Sequence, residues 1–449
     1  MTYKEALDYL DSFVNHEKNL PRNYSSDLSL DRITRLLSSL GEPHRRYPAI
    51  HVAGTKGKGS TCAFIASILK ASGVRTGLYT SPHLLSICER IQVNGEPISE
   101  DDFASMLTRI RPVVAPETTY FDLLTACAFF YFQEEGVDAA VVEVGLGGRL
   151  DSTNVLLPEV TVITPISLDH MEQLGDTVEA ISREKAGIIK QNVPVVLAPQ
   201  LPEAAVVIAE TSAVRRAPLH RVDQEVFVSR LEPRADGVRV SFQTPERIYP
   251  EVVIPLLGRH QAGNAITAVR AVELWSRQRS VCGTTVVCRG LQEVVWPGRC
   301  QLVQGRPPIL LDGAHNAASF EVLRRTVLEV FPGKKVWLVL GISAGKDLAG
   351  ICGLLSRTDW KILVTRAAVS RAESPEKITE ILREEGNGEP TVCESVERAL
   401  KQAQSEADPN DLILVSGSLF MVAEALHILG KYSTPVSSGV VSLETKIRR

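Results

Sequence analysis

Two stretches of this chain repeat one pattern, short and almost wholly apolar runs separated by longer segments of helical periodicity, and that pattern restricts the fold more than any other feature. Between about residue 48 and 200 the runs are Ala49-Ile50-His51-Val52, Ala139-Ala140-Val141-Val142-Glu143-Val144, Val160-Thr161-Val162-Ile163 and Pro194-Val195-Val196-Leu197. A strand apolar on both sides needs cover on both sides, as in a parallel sheet whose crossover helices pack above and below it. After Trp296-Pro297-Gly298-Arg299 the alternation restarts with Ile309-Leu310-Leu311, Val336-Trp337-Leu338-Val339-Leu340, Lys361-Ile362-Leu363-Val364 and Leu412-Ile413-Leu414-Val415. This predicts a second doubly wound unit of about 150 residues, with the boundary near Pro297. Between the two, residues 215–256 carry alternating runs such as Val238-Arg239-Val240-Ser241-Phe242, which predict a β-rich insertion.

The first apolar run leads into Gly54-Thr55-Lys56-Gly57-Lys58-Gly59-Ser60-Thr61, and a helical pattern follows from Cys62 to Lys70. Strand, glycine turn and helix start are the context that holds a triphosphate. Glycines let backbone N–H groups approach the oxygens, and the helix end adds partial positive charge. Lys58 is placed to neutralise the β and γ phosphates, and Ser60 to offer its hydroxyl to magnesium. The spacing is not the strict Walker one, because Gly59 separates Lys58 from Ser60, which lowers the weight of a kinase or motor reading. The expectation is an α/β protein with an N-terminal P-loop ATPase domain.

Three further residues bear on a metal. Glu143 closes an apolar strand before the turn Val144-Gly145-Leu146-Gly147-Gly148-Arg149, where its carboxylate is either a magnesium ligand beside the P-loop or a helix cap. His170, in Ser167-Leu168-Asp169-His170, also follows a strand end, from which an imidazole reaches a second metal or simply packs. Lys185, in Arg183-Glu184-Lys185-Ala186-Gly187, reads on its own as a solvated charge on a helical turn.

With 449 residues, 44% of them hydrophobic, the chain has material for two cores. A net charge of -4 gives no broad basic surface for nucleic acid or anionic membrane, so anion binding has to be local. The eight cysteines are scattered with no C-x-x-C pair, which suggests reduced, mostly buried thiols. The N-terminus begins an amphipathic, acidic helix rather than an apolar leader, and no window approaches a membrane span. A cytoplasmic location is expected.

The segments His51-Val52-Ala53-Gly54-Thr55-Lys56-Gly57-Lys58-Gly59-Ser60 and Thr80-Ser81-Pro82-His83-Leu84 closely resemble those of folylpolyglutamate synthases and bifunctional dihydrofolate synthases, members of the Mur ligase group. Further matches, in order, are Glu143 to Asn154, Leu168-Asp169-His170, Arg183 to Ile188, His260 to Ala265, Pro297-Gly298-Arg299, Asp312-Gly313-Ala314-His315-Asn316 and Ser416 to Phe420. The resemblance implies an ATPase domain over 1–296, a Rossmann-like ligase domain over 297–434, a tail over 435–449, and ATP held between the domains. It implies nucleotide contacts from Gly54, Thr55, Gly57, Lys58, Gly59, Ser60, Thr61, Asn264, Arg299, Asp312 and His315. Ser60 and Glu143 look like ligands of a first Mg2+, and Glu143 and His170 lie around a second. Lys185 matches a lysine that the group carbamylates, so that a cation becomes an anionic oxygen donor. Lys58, Lys185 and His170 are the expected catalytic residues, and Ser81, Pro82, His83, Phe121 and Asp151 the folate region. Two departures stand out, Lys56 where many members have asparagine and Gly345 where an acidic residue is common.

The implied reaction joins L-glutamate to tetrahydrofolate with ATP, through an acyl phosphate. Small molecules are the expected partners, with no nucleic acid or membrane, and the chain is expected to be a monomer. The alternative keeps the fold and uses dihydropteroate as acceptor. A muramyl-peptide ligase is disfavoured by the Thr80-Ser81-Pro82-His83 loop, a non-hydrolysing binding module by the complete donor set, and a dinucleotide oxidoreductase by the lack of its glycine fingerprint.

Overall fold

The computed structural model describes residues 1–17, 28–277, 279 and 282–430. The proposed tail over 435–449 lies outside the described residues. The chain divides into two compact units, one comprising Met1–His83, Ile87–Gln301 and Val322–Gly333, the other Leu84–Ser86, Leu302–Glu321 and the residues from Lys334 onward.

In the first unit, eight strands form one sheet: β1 (Ala49–Ala53), β2 (Thr76–Tyr79), β3 (Ile91–Val93), β4 (Glu96–Pro97), β5 (Ala139–Glu143), β6 (Val160–Ile163), β7 (Val195–Leu197) and β8 (Leu219–Arg221). Their order is β4-β3-β2-β5-β1-β6-β7-β8, parallel from β2 through β8, with β3 and β4 added antiparallel at one edge. Adjacent residues of a strand face opposite sides, so the central strands feed two cores. Ile50, Val52 and Val141 pack with Phe64, Ile65 and Ile68 of the helix Lys58–Ala71 and with the buried helix Arg259–Ser276. Ala49, Ala140 and Val142 pack on the other face with Leu10, Ile33, Phe103 and Phe129. Apolar cover on both faces is what the continuous apolar runs require. The amino-terminal helix, Tyr3–Asp11, begins with a capping box between Thr2 and Glu5.

A three-stranded antiparallel sheet follows, β9 (Phe227–Arg234), β10 (Gly237–Gln243) and β11 (Ile248–Ile254), in the order β11-β10-β9. It begins later than the sequence pattern suggests: Leu219–Arg221 is not part of it but pairs with β7 as the last parallel strand of the main sheet. An edge strand bonds on one side only and tolerates polar residues, so His220 and Arg221 hide its membership. The small sheet is fastened to the helix Arg259–Ser276 by a buried ion network. Arg270 is almost fully buried and donates to Glu225 at 2.6 Å, to Glu273 at 2.5 Å and to Glu246. Glu273 also accepts from Thr244 and Tyr249, each at 2.8 Å.

In the second unit, β12 (Gln301–Val303), β13 (Ile309–Leu311), β14 (Val336–Leu340), β15 (Lys361–Val364), β16 (Thr391–Val392) and β17 (Leu412–Ser416) form a six-stranded sheet in the order β12-β13-β17-β14-β15-β16. The pairs β13/β17, β14/β17, β14/β15 and β15/β16 are parallel. Helices such as Val396–Glu406 and Leu419–Ile428 supply its apolar cover. No helix among the described residues is long and apolar enough to cross a membrane.

Candidate active site

Strands β5, β1 and β6 lie side by side at the centre of the first sheet, and the loops leaving their carboxyl ends collect most of the residues singled out in the sequence. The chain order reverses at this place, which is where open α/β sheets bind ligands. After β1 the backbone turns through Gly57, whose φ of +82° is left-handed and whose missing Cβ would stand 2.4 Å from Oδ1 of Asn264. Only glycine satisfies both conditions. The helix Lys58–Ala71 starts there with no side-chain cap, so its first amides remain available to an anion.

The loop is laced to the one after β6. The amides of Thr55 and Lys56 donate to the Pro165 carbonyl at 3.0 and 3.1 Å, and the Thr55 hydroxyl donates to the Ser167 carbonyl at 3.1 Å. Lys56 forms an ion pair with Asp169 at 3.1 Å, so the charge that departs from the family pattern faces a carboxylate. Ser60 and Thr61 are buried in the first helical turn, and the Thr61 hydroxyl has no hydrogen-bond partner among the described residues.

Glu143 ends β5 directly opposite Val52 of β1. Its side chain is buried, with Oε1 4.0 Å from the Lys58 ammonium and Oε2 accepting from the Ser81 amide at 3.2 Å. Burial pushes its carboxyl group above the usual carboxylate range, against the pull of Lys58, the Ser81 amide and the Arg299 charge. Gly59 lies beneath both Glu143 and the Trp296 indole: a Cβ there would be 3.4 Å from Glu143 Oε2 and 2.9 Å from the ring. Lys58, Ser60, Glu143, Ser81 and Arg299 thus form one neighbourhood.

The turn after Glu143 is shaped by Asp151. One carboxylate oxygen accepts from the Gly145 and Leu146 amides at 3.0 and 2.9 Å, and the other from the Thr153 amide at 3.0 Å and the Thr153 hydroxyl. Those bonds hold its pKa down, yet burial outweighs them and raises it. Phe121 packs on the same turn, close enough that a Cβ at Gly145 would lie 2.6 Å from its ring. The Arg149 amide donates to the Glu184 carbonyl at 2.8 Å, and Asn154 donates to the Gly187 carbonyl at 3.1 Å. These bonds tie the turn to the helix Val178–Ala186, which carries Lys185.

Lys185 is buried, and no hydrogen bond or ion pair of its ammonium is recorded among the described residues. Burial first, and then the charges of Lys58 and Lys56, bring its pKa down to about 7, with Asp169 and Asp151 opposing. A lysine in that condition is about half amine at neutral pH, and the amine is the form that reacts with carbon dioxide.

The remaining predicted residues are placed as follows. His170 is exposed, left-handed at φ +51°, and follows Asp169 at the head of the short helix Met171–Leu174. Among the described residues no three His, Cys, Asp or Glu side chains are grouped to hold a metal; the donors brought near Lys58 are one carboxylate, one hydroxyl and one amine. Ser81 precedes Pro82 through a cis peptide, and His83 accepts at Nδ1 from Arg90 at 2.8 Å, while Arg90 grips Glu17 with two bonds of 2.7 Å. In the second unit, Asp312 and His315 lie on the loop leaving β13. Asp312 accepts there from the Ala314 amide at 2.9 Å, and His315 Nδ1 lies 2.9 Å from the Gly313 carbonyl. Gly345 occupies a left-handed turn at φ +77°. Sequence reasoning overlooked Trp296, Thr153 and the His51 ring that Thr153 meets. Thr153 carried a local signal, two residues after an aspartate at a helix start; the other two contacts are long-range and left none.

The Mur ligase middle domain matches residues 52–272, and the Mur ligase glutamate ligase domain matches 298–419. A dihydrofolate synthase/folylpolyglutamate synthase of Bacillus subtilis is 36% identical over 88% of this chain and 93% of its own length. The enzyme of the same description from Mycobacterium tuberculosis is 34% identical over 90% and 91%. Among solved structures, the Mycobacterium tuberculosis folylpolyglutamate synthase complexed with ADP superposes with a TM-score of 0.87 at 32% identity, covering 95% of this chain and 98% of that one. A folylpolyglutamate synthase complex with AMPPCP and folate gives 0.83 at 29% identity over 96% and 100%. The fold and the phosphate loop are those of an ATP-dependent amide ligase of the Mur type. Within that class, the chain belongs to the folylpolyglutamate synthase/dihydrofolate synthase family.

Proposed function

We propose that this chain adds L-glutamate to a tetrahydrofolate carboxylate at the expense of ATP, through an acyl-phosphate intermediate, acting as a cytoplasmic monomer. The observation that carries the reading is the grouping of half-buried Lys58, buried Glu143 and buried Lys185, whose amine has no ion pair among the described residues, around an uncapped helix start. The helix amides and Lys58 receive the β and γ phosphates of ATP, and Asn264 and Arg299 complete the nucleotide contacts of the first unit. Ser60 and Glu143 would hold one Mg2+, and Glu143, His170 and a carbamylated Lys185 would hold a second. When bound, the ions supply Lewis-acid neutralisation of the phosphoryl oxygens. The buried carboxylate and the hydroxyl are oxygen donors that fit such ions, and the near-neutral amine would become one once it has taken up carbon dioxide.

The acceptor, placed along Ser81, Pro82, His83 and Phe121, attacks the γ-phosphorus with its carboxylate and displaces ADP. Phosphorylation turns a poor acyl donor into one with a leaving group. The glutamate amine then adds to the acyl carbon, and the intermediate collapses to amide and inorganic phosphate. Lys58 offsets charge on the phosphoryl group as it moves. The eight cysteines, scattered without a C-x-x-C pair, suit a reducing compartment.

Oxygen label placed in the acceptor carboxylate should emerge in the released phosphate, and unlabelled phosphate would rule out the acyl-phosphate route. Lys58→Ala should lower turnover by on the order of 10³-fold or more while the protein melts as before. Dihydrofolate synthase activity is the second reading, favoured by the two relatives whose names carry both activities. Glutamate-dependent ADP release with dihydropteroate and with tetrahydrofolate, measured side by side, separates the two.

A further inference from the structure

His51 lies in the middle of β1 with its ring wholly buried, one strand position before the residues that lead into the phosphate loop, and the reaction just described gives it no task. Its Nε2 stands 2.8 Å from the Thr153 hydroxyl oxygen. That hydroxyl donates its single proton to Asp151 Oδ1, so it meets the imidazole as an acceptor. The ring must therefore carry its proton on Nε2 and present a bare lone pair at Nδ1, and Nδ1 is indeed buried without a partner among the described residues. A second proton at Nδ1 would find no acceptor; burial, and then the charge of Lys190, push the His51 pKa down to about 3.

A neutral ring with one unused nitrogen is a poor filler for the centre of a sheet, where an aliphatic side chain would leave nothing unsatisfied. Its polar contact leads to one place. Thr153 holds Oδ1 of Asp151, and Oδ2 of the same carboxylate holds the Gly145 and Leu146 amides. With four donors on its two oxygens, Asp151 is fully engaged inside the protein. Gly145 is in turn in contact with the Phe121 ring. Any rotation of the Asp151 carboxylate moves the turn and, through it, the ring.

We propose that His51 and Thr153 are positioning residues for the acceptor side of the active site, acting through Asp151 on the Gly145–Leu146 turn and on Phe121. The proposal rests on the reading that the pterin-bearing substrate lies along Phe121 and the Ser81 loop. It assigns Asp151 to the shaping of that surface, with its carboxylate turned to the backbone rather than to the ligand. The phosphate loop is held by separate bonds, to Pro165 and Ser167, and is not part of this relay.

The test compares Thr153→Val, which keeps the shape and removes the hydroxyl, with Thr153→Ser, which keeps the hydroxyl. Thr153→Val should raise the KM for the folate acceptor about tenfold, the scale of one lost buried hydrogen bond, while the KM for ATP stays within about twofold. It should also speed hydrogen exchange at the Gly145 and Leu146 amides, and Thr153→Ser should do neither. His51→Gln, which places an amide N–H near the position of Nε2–H, should behave like the parent, and His51→Leu like Thr153→Val. In ¹⁵N-histidine spectra the His51 Nε2–H signal should persist from pH 8 to 5 and shift in Thr153→Val. An unchanged acceptor KM in Thr153→Val would overturn the proposal, as would acceptor and ATP KM rising together with a falling Tm, which marks general loosening. If the parent enzyme releases no ADP with any pteroate or folate acceptor, the functional reading fails first and this proposal with it. If the parent is active and only the variant effect is missing, this proposal alone fails. Should His51→Leu not fold, the two Thr153 variants decide.

Discussion

Two of the cations that the first unit buries are held in opposite ways. Arg270 sits among Glu225, Glu246 and Glu273, and its charge is met on every side that donates to them. Lys185 sits beside two other lysines, with no ion pair of its own recorded among the described residues, and its pKa falls to about 7 where that of Arg270 rises. Burial alone does not tell structure from chemistry; the company a charge keeps does. A cation compensated on the spot fastens the β9–β11 sheet to its helix, whereas an uncompensated one marks a position whose charge is to be supplied or altered by a ligand.

Removing each cation tests the contrast, because the same operation should have opposite effects on stability. Lys185→Met is expected to lower turnover on the order of 10³-fold in a glutamate-dependent ADP-release assay, and yet to leave the metal-free protein at least as resistant to urea as the parent. Turnover near the parental level would remove Lys185 from the active site. Arg270→Ala should do the reverse: about 3–5 kcal/mol lost in urea unfolding, because three carboxylates are left facing one another, with kcat of the folded fraction unchanged. An Arg270→Ala protein as stable as the parent would erase the contrast.

The pH dependence sharpens it. A lysine whose folded pKa of about 7 lies below its ordinary 10.5 binds fewer protons folded than unfolded across that interval. Its destabilising effect is complete below pH 7 and is relieved as pH rises toward 10.5. Between pH 7 and 9 the parent should therefore gain roughly 2 kcal/mol relative to Lys185→Met, measured without metal or carbon dioxide. Parallel stability profiles would mean that Lys185 is not held as an amine. The smallest effect belongs to Lys56→Asn. Its pair with Asp169 is partly exposed, so the change should cost less than about 1 kcal/mol and fade with added salt.

What could be read in the sequence follows the same division. Runs such as Val336–Leu340 and Leu412–Ser416 are apolar on both faces, because both faces are covered, and they announce themselves. Edge strands need one neighbour and one apolar side; Glu96–Pro97, Leu219–Arg221 and Thr391–Val392 carry no such pattern and were invisible. At the site, Gly57 and Lys58 were legible because the chemistry of a phosphate loop is local backbone geometry. The meaning of Lys185 was not, since Arg183-Glu184-Lys185 reads as an ordinary helix face until burial is known. The partner of His51 lies 102 residues away, and no spacing rule connects them.

Trp296 gives the phosphate loop an optical consequence. Its indole is packed against Gly59, one residue past Lys58, with a buried N–H that finds no partner among the described residues. A fluorophore so placed changes its surroundings whenever the loop is filled or emptied. Nucleotide occupancy can therefore be followed in the unlabelled enzyme from its own emission, with Trp296→Phe, which keeps the other three tryptophans, as the unresponsive control.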